Sequence, residues 1–534
     1  MKQFGKSNLS RRNLIKWGAV AAGASSSPVQ ASLFGSKAPT MLATEEKDTI
    51  IIGSGFGGAM SAYRLTEAGH QVTMIERGRR WDGPVDGDRF SKSIYPDGRS
   101  TWLKNKTVIP LGPALPIPKN TGVLDGSVES GKSIVRGAAY GGGSIVYGGV
   151  LKKPEKKVFE EVFPKEVSFE ELEKHWDEIG EKLLRSTLPE DLEQEKYWKH
   201  VRVMKEHCEK AGVKWEDMHT ATDWDIVRKE VNGEIPGAII NGDAVYGVNS
   251  GAKTTLDNTY LKDAESTGLL EVKTLHRVID LMETNDGRYR ILFEVLGERG
   301  DILSRGNFIC RKLILAAGTM GTSKLLVRAK AKGHLSKLND EVGKGWGNNG
   351  NVYALRLGLT PTGSIHGGPP SAGIADYENP RGPMFIEHPQ LPLGFEFGGL
   401  LYFGIGINPT RGHFYYDKDS DSVKLSYPKK DKGQENINEA LLETLKKLNE
   451  ANGGWTTSAI NGFKEKVKDD AVYHPLGGCV LGKATDFYGR VKGYTGLYVN
   501  DGSFMPGASA CTNPSFTISA IADRNIQKIL GEDY

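Results

Sequence analysis

Cysteine is scarce in this chain. Four residues in 534, at Cys208, Cys310, Cys479 and Cys511, form no close pair, which excludes a disulfide-stapled scaffold and a thiolate metal centre. Free thiols are the expectation for all four. Long hydrophobic runs are also missing. No apolar stretch reaches eighteen residues, so no segment is a candidate for a membrane-spanning helix. Neither sign of charge dominates: 69 Lys and Arg stand against 66 Asp and Glu, a formal net charge of +3. That balance gives no reason to expect a nucleic acid or another polyanion as partner. What is present is a globular composition, 38% hydrophobic and 25% charged, with 67 glycines. The length exceeds one ordinary core and predicts two domains or one elaborated domain.

The N-terminus reads as a targeting segment. Ser10-Arg11-Arg12-Asn13-Leu14-Ile15-Lys16 fits the twin-arginine pattern, a weakly apolar run from Trp17 to Ala24 follows, and Val29-Gln30-Ala31 is a small-residue cleavage site. Residues 1–31 are therefore set aside as a signal peptide. The mature protein is expected to be exported folded, to the periplasm or beyond.

Asp48 to Ile52, the glycines after it, Ala59 to Ala68 and Gln71 to Glu76 read as strand, turn, helix and strand, the first unit of a Rossmann-like fold. Its partners lie far along the chain. Leu269 to Val272, Lys312 to Gly318 and Gly496 to Asn500 read as further strands, and Pro514 to Leu530 as the last helix. The fold class predicted is α/β, a discontinuous Rossmann-like domain with an inserted α+β domain. The first is assigned 47–80, 254–344 and 489–534, the second 81–253 and 345–488. The insertions include charged helical sequence from Lys156 to Leu184 and a proline-dense stretch from Ile109 to Pro118. They also include an amphipathic helix with Ile437, Leu441, Leu445 and Leu448 on one face, and strand-like runs at Tyr402 to Ile407 and His413 to Tyr416.

Gly53-Ser54-Gly55-Phe56-Gly57-Gly58 follows an apolar strand and opens a helix, and Glu76 ends the next strand twenty-three residues after Gly53. This is the dinucleotide-binding pattern: glycines let backbone close on a pyrophosphate, the helix N-terminus supplies positive charge, and the acid accepts ribose hydroxyls. Arg77, Arg79 and Arg80 keep a 2′-phosphate in view. Near the other end, Tyr498-Val499-Asn500-Asp501-Gly502 is a strand ending in Asp-Gly, placed as in two-part FAD sites, so Asp501 and Gly502 join the candidate cofactor residues. Gly137 to Gly149 holds enough glycine for backbone to approach a flat ring.

Taken with His474 to Arg490, Gly345-Trp346-Gly347-Asn348-Asn349-Gly350-Asn351 and Gly141-Gly142-Gly143-Ser144, the chain from Gly53 to Asn525 resembles the glucose–methanol–choline (GMC) oxidoreductases, of the cholesterol oxidase type. The resemblance implies noncovalent FAD, with Gly143, Gly148, Val150 and an adenine-flanking Val278 added to its contacts. It also implies oxidation of a 3β-hydroxysterol to the 3-ketone, with oxygen reduced to hydrogen peroxide and the double bond moved into conjugation. The alternative is a periplasmic dehydrogenase of another hydroxysteroid or long-chain alcohol that passes electrons to a redox carrier. Contact with a membrane surface would be transient.

By the same resemblance His474 and Asn513 are the catalytic pair and Glu387 the isomerising base. Imidazole can hold an alcohol and take or relay its proton, while Asn can only donate or orient. Asn513 also reads as a helix N-cap before Pro514. His388, next to Glu387, competes for its role. The sequence departs from the family pattern at Tyr147, Val150 and Ser515, each expected beside the flavin.

Overall fold

A computed structural model describes residues 39–82, 87–108, 114–458 and 471–534. The twin-arginine segment, and with it the expected export, lies outside these residues, as do residues 109–113 of the proline-dense stretch.

The larger sheet is organised around one strand, Ile302–Leu315. Its first half closes an antiparallel meander with Tyr289–Leu296 and His276–Glu283. Its second half lies between two parallel neighbours, Glu45–Ile52 on one side and Leu497–Val499 on the other. Val72–Ile75 and Leu270–Lys273 extend the parallel part. Ile50, Ile51, Leu313, Ile314 and Leu315 are fully enclosed. Unbroken apolar runs of this kind suit parallel strands covered on both faces. Each strand read from the sequence here is present, most with ends shifted by a few residues; the one read as Lys312 to Gly318 begins ten residues earlier, at Ile302.

The second sheet is antiparallel, in the order Trp455–Ser458, Asn351–Leu357, Leu400–Gly406, Met384–Glu387, Ala372–Asp376, Trp215–Asp217. Its two faces are sorted by the period of two. Val352, Ala354, Met384, Ile386, Leu400 and Tyr402 pack into one hydrophobic cluster with the helices Lys199–Lys210 and Lys432–Asn452. Ile437, Leu441, Leu445 and Leu448 supply the buried face of the second helix, which starts where the Asp431 carboxylate accepts from Gln434 N–H at 3.0 Å. The alternate residues Tyr353, Leu401 and Phe403 face the other way, with Glu387.

Lys156 to Leu184 is two helices rather than one. Lys156–Val162 ends because Phe163, held extended before Pro164, cannot continue it, and Phe169–Lys182 restarts under a Ser168 cap. All four cysteines are buried free thiols. Among the described residues no helix is long and apolar enough to cross a membrane, and no cluster of ligating side chains is built for a metal ion.

Candidate active site

A cavity of about 640 Å³ opens at the carboxyl ends of the parallel strands, with the apolar face of the second sheet as its far wall. At one end the glycine motif forms a cradle. Gly53 has φ +102°, and a Cβ there would lie 2.1 Å from Ala316 O; one on Gly57 would lie 1.7 Å from Asn500 O. At Gly55 the Cβ position is open space. The helix Phe56–Glu67 begins here without a side-chain cap, so its N–H groups are free to meet an anion. A second helix, Gly318–Ala331, also starts uncapped on the cavity, and the buried Thr319 Oγ1 has no partner.

Glu76 is 6% exposed. One carboxylate oxygen accepts from Ser54 N–H at 3.1 Å and Ser54 Oγ at 2.7 Å, the other from Gly78 N–H at 2.7 Å. Lone pairs remain for ribose hydroxyls. The Asp501 carboxylate is likewise fixed, by Ser503 N–H and Thr322 Oγ1. Arg77, Arg79 and Arg80 pair with Asp125, Glu298 and Glu265 respectively. Gly143, Gly148, Val150, Val278 and Gly502 all line the same cavity. Gly58 does not. It packs inside the helix, where a Cβ would strike Gly53 O at 2.1 Å, and its part is close packing rather than contact.

The reaction end is assembled from distant segments. Asn351 accepts from Tyr473 N–H at 3.2 Å through Oδ1, which fixes the amide so that Nδ2 points at His474 Nδ1, also 3.2 Å away. Asn349 is fixed in the same manner by Ser509, and its Nδ2 lies 3.5 Å from the same ring nitrogen. His474 Nδ1 is therefore an acceptor, and the neutral ring carries its proton on Nε2. Burial pushes the imidazole down to about 3. The ring faces the cavity and lies 5.5 Å from that of Phe403.

Glu387 ends its strand on the cavity face, 2% exposed, and desolvation pushes its carboxyl up to about 8 although the nearby Asn513 amide pulls the other way. Glu387 Oε1 and Asn513 Oδ1 have no partners, and both residues line the cavity. Asn513 occupies the N-cap of Pro514–Asp533 but does not cap it through its side chain, which is turned to Glu387 instead. His388 does not compete. It points behind the sheet, where Nδ1 donates to Leu401 O at 2.8 Å and Nε2 meets His200 Nδ1 at 2.7 Å. Of the three departures, Tyr147 donates from its hydroxyl to Thr254 O at 2.8 Å, and Ser515 Oγ donates to Val150 O at 3.3 Å.

A glycine cradle and a half-buried histidine served by two asparagines thus share one cavity, and three family models coincide with this arrangement. GMC oxidoreductase matches residues 47–345 and 410–522, and its C-terminal model matches 349–460. The chain belongs to the GMC oxidoreductase family. A cholesterol oxidase of Acinetobacter baumannii is 25% identical over 90% of this chain and 94% of its own length. A cholesterol oxidase of Mycobacterium tuberculosis (strain CDC 1551 / Oshkosh) is 24% identical over 89% and 90%. Two solved structures share the fold. A pyridoxine 4-oxidase from Mesorbium loti has a TM-score of 0.60 at 15% identity over 91% of this chain and all of its own. A fungal aryl-alcohol oxidase has a TM-score of 0.62 at 14% identity, over 91% and 99%.

GMC oxidoreductases are FAD-binding alcohol oxidoreductases. The residues present fit that cofactor. The uncapped helix ends and Thr319 suit its pyrophosphate, Glu76 its ribose, Val278 its adenine, and the 142–150 loop a flat ring. Asn349, Asn351, Tyr353, Phe403 and Tyr473 carry no assignment from the sequence. The two asparagines lie within a segment that carries the family resemblance, but nothing in their spacing tells that they serve a histidine more than 120 residues away.

Proposed function

We propose that this enzyme oxidises a 3β-hydroxysterol, or an apolar secondary alcohol of similar shape, and then moves a neighbouring double bond into conjugation, with oxygen as final electron acceptor. Flavin, when bound in the cradle, would supply the two-electron acceptor for the hydride that leaves the alcohol carbon. His474 Nε2–H donates to the substrate oxygen and holds it. With Nδ1 already occupied by Asn351, the ring is a poor base, so the hydroxyl proton goes to Glu387, which passes it on to solvent before its carboxylate takes one from a substrate carbon. This division of labour differs from the one the sequence suggests, in which His474 takes the proton. Asn513 orients Glu387 and favours its ionised form. The wall of Tyr353, Leu401 and Phe403 excludes water, which keeps Glu387 basic enough to carry a proton between carbons of an enolisable ketone.

The observation that carries this reading is a buried carboxyl with a free oxygen on an otherwise apolar wall. Cholesterol, and straight-chain alkanols as controls, are the substrates to try with Glu387→Gln. Oxidation should fall by roughly 10²–10⁴-fold, and the residual ketone should leave unconjugated, without the absorbance of an enone. Conjugated product from that variant at the parental rate would end the assignment.

A further inference from the structure

Behind the cavity wall, Lys253 is 4% exposed and does not line the cavity. Its Nζ lies 2.8 Å from Ile145 O, 2.9 Å from Tyr147 O and 3.1 Å from Ala244 O. Three carbonyls need three donors. A neutral amine has two N–H bonds and an ammonium has three, so the geometry calls for the charged form. Ile145 and Tyr147 flank Val146 in the glycine loop, and Ala244 belongs to the facing wall; Val146 and Ala244 both line the cavity. One cation therefore ties together two wall segments a hundred residues apart.

The residues after it reinforce the tie. Thr254 O accepts from the Tyr147 hydroxyl at 2.8 Å, and Leu256 N–H donates to Ser144 Oγ at 3.0 Å, which itself donates to Gly141 O at 2.7 Å. The charge is expensive where it sits. Burial pushes the ammonium down to about 7, and among the described residues no carboxylate lies within ion-pair distance. Asp257 is the nearby acid, and desolvation pushes its own carboxyl toward the neutral form. The positive charge thus stays largely uncancelled behind the loop. A neutral apolar side chain of the same length would fill the space but leave three carbonyls without their donor, so the site asks for the hydrogen-bonding cation and not merely for its stem.

We propose that Lys253 is a positioning residue for the ring end of the flavin, holding the 142–150 loop against the Ala244 wall and setting a fixed positive charge behind it. The inference rests on the flavin reading above. A fixed cation there favours the reduced, more negative cofactor and so raises its reduction potential.

The test is the midpoint potential of the flavin, by equilibration with a reference dye, in the purified holoenzyme and in Lys253→Met and Lys253→Arg. Lys253→Met should shift the two-electron equilibrium against reduction by roughly tenfold, about 30 mV for such a couple. Lys253→Arg, which keeps the charge, should stay close to the parent. If Lys253→Met loses its flavin, the dissociation constant is read instead: about tenfold or more weaker, and restored by Arg. A Met variant that keeps flavin at the parental potential overturns the inference, and so do equal losses in Met and Arg. A parent protein that neither carries nor takes up flavin would sink the cofactor reading itself, a different and separable result.

Discussion

The two ends of the cavity are built by opposite means. At the cradle end the contacts are backbone, and selectivity comes from side chains that are not there: Gly53 and Gly57 sit where a methyl group would strike a carbonyl, and Gly55 leaves room for a ligand. At the reaction end everything depends on side chains, and each is oriented by another: Tyr473 N–H sets Asn351, Asn351 sets His474, and Asn513 sets Glu387. The first kind of site tolerates no added atoms, and the second no misplaced proton.

Four measurements would sharpen or break that contrast. The largest effect belongs to Gly57→Ala. Its Cβ would lie 1.7 Å from Asn500 O, so the end of the Leu497–Val499 strand must move, at a cost at or above the roughly 1–3 kcal/mol of ordinary overpacking. Flavin absorbance per mole of protein should be lost and the melting temperature should drop. Next comes Asn351→Asp. A carboxylate cannot donate, so it draws a proton onto Nδ1 of His474, either taking the one on Nε2 or charging the ring, and the neutral Nε2–H donor is lost in both cases. Turnover should fall by roughly 10²–10⁴-fold with flavin content unchanged. Equal loss of flavin in both variants would show that the two ends are not separable.

The third effect is a pH profile. Glu387 works as a base only when ionised, and its carboxyl is held up at about 8. The rate should therefore rise with pH and level off above 8, dropping about tenfold for each unit below. Glu387→Gln should lack that limb. Stability runs the other way. The unfolded chain ionises this group near 4.5, whereas the folded chain keeps its proton to about 8, so stability falls across that window and the Gln variant should outlast the parent at pH 9. A melting series across pH checks the sign. The smallest effect is that of Phe403→Leu. The ring stacks on Tyr353 at 4.4 Å, and losing it should cost about 0.5–1.5 kcal/mol of substrate affinity with little change in turnover.

The contrast also explains what could be read in advance. Gly53, Gly55, Gly57 and Glu76 are legible because the strand, turn, helix and acid that form the cradle are contiguous. The scattered strands at Lys312 and Gly496 were legible because parallel strands buried on both faces leave unbroken apolar runs. The role of Asn351 was not legible, because a hydrogen bond across the fold leaves no periodicity. Whether Glu387 or His388 enters the cavity is decided by which face of the sheet each side chain takes, and no local rule fixes that. Pro164 stood in plain view inside a charged helical stretch, and its effect is the ordinary one.

The strand Leu497–Val499 has one more consequence, in time rather than space. Gly57 is met by Asn500, 443 residues later in the chain. At synthesis rates of about 5–20 residues per second, the cradle waits roughly 20–90 s for its missing wall. From the completion of Ile302–Leu315 onward, the last roughly 9–37 s of that interval, the apolar edge that Leu497–Val499 will cover is bare. For this enzyme the ribosome's pace, and whatever shields that edge meanwhile, sets how soon a cofactor can be held.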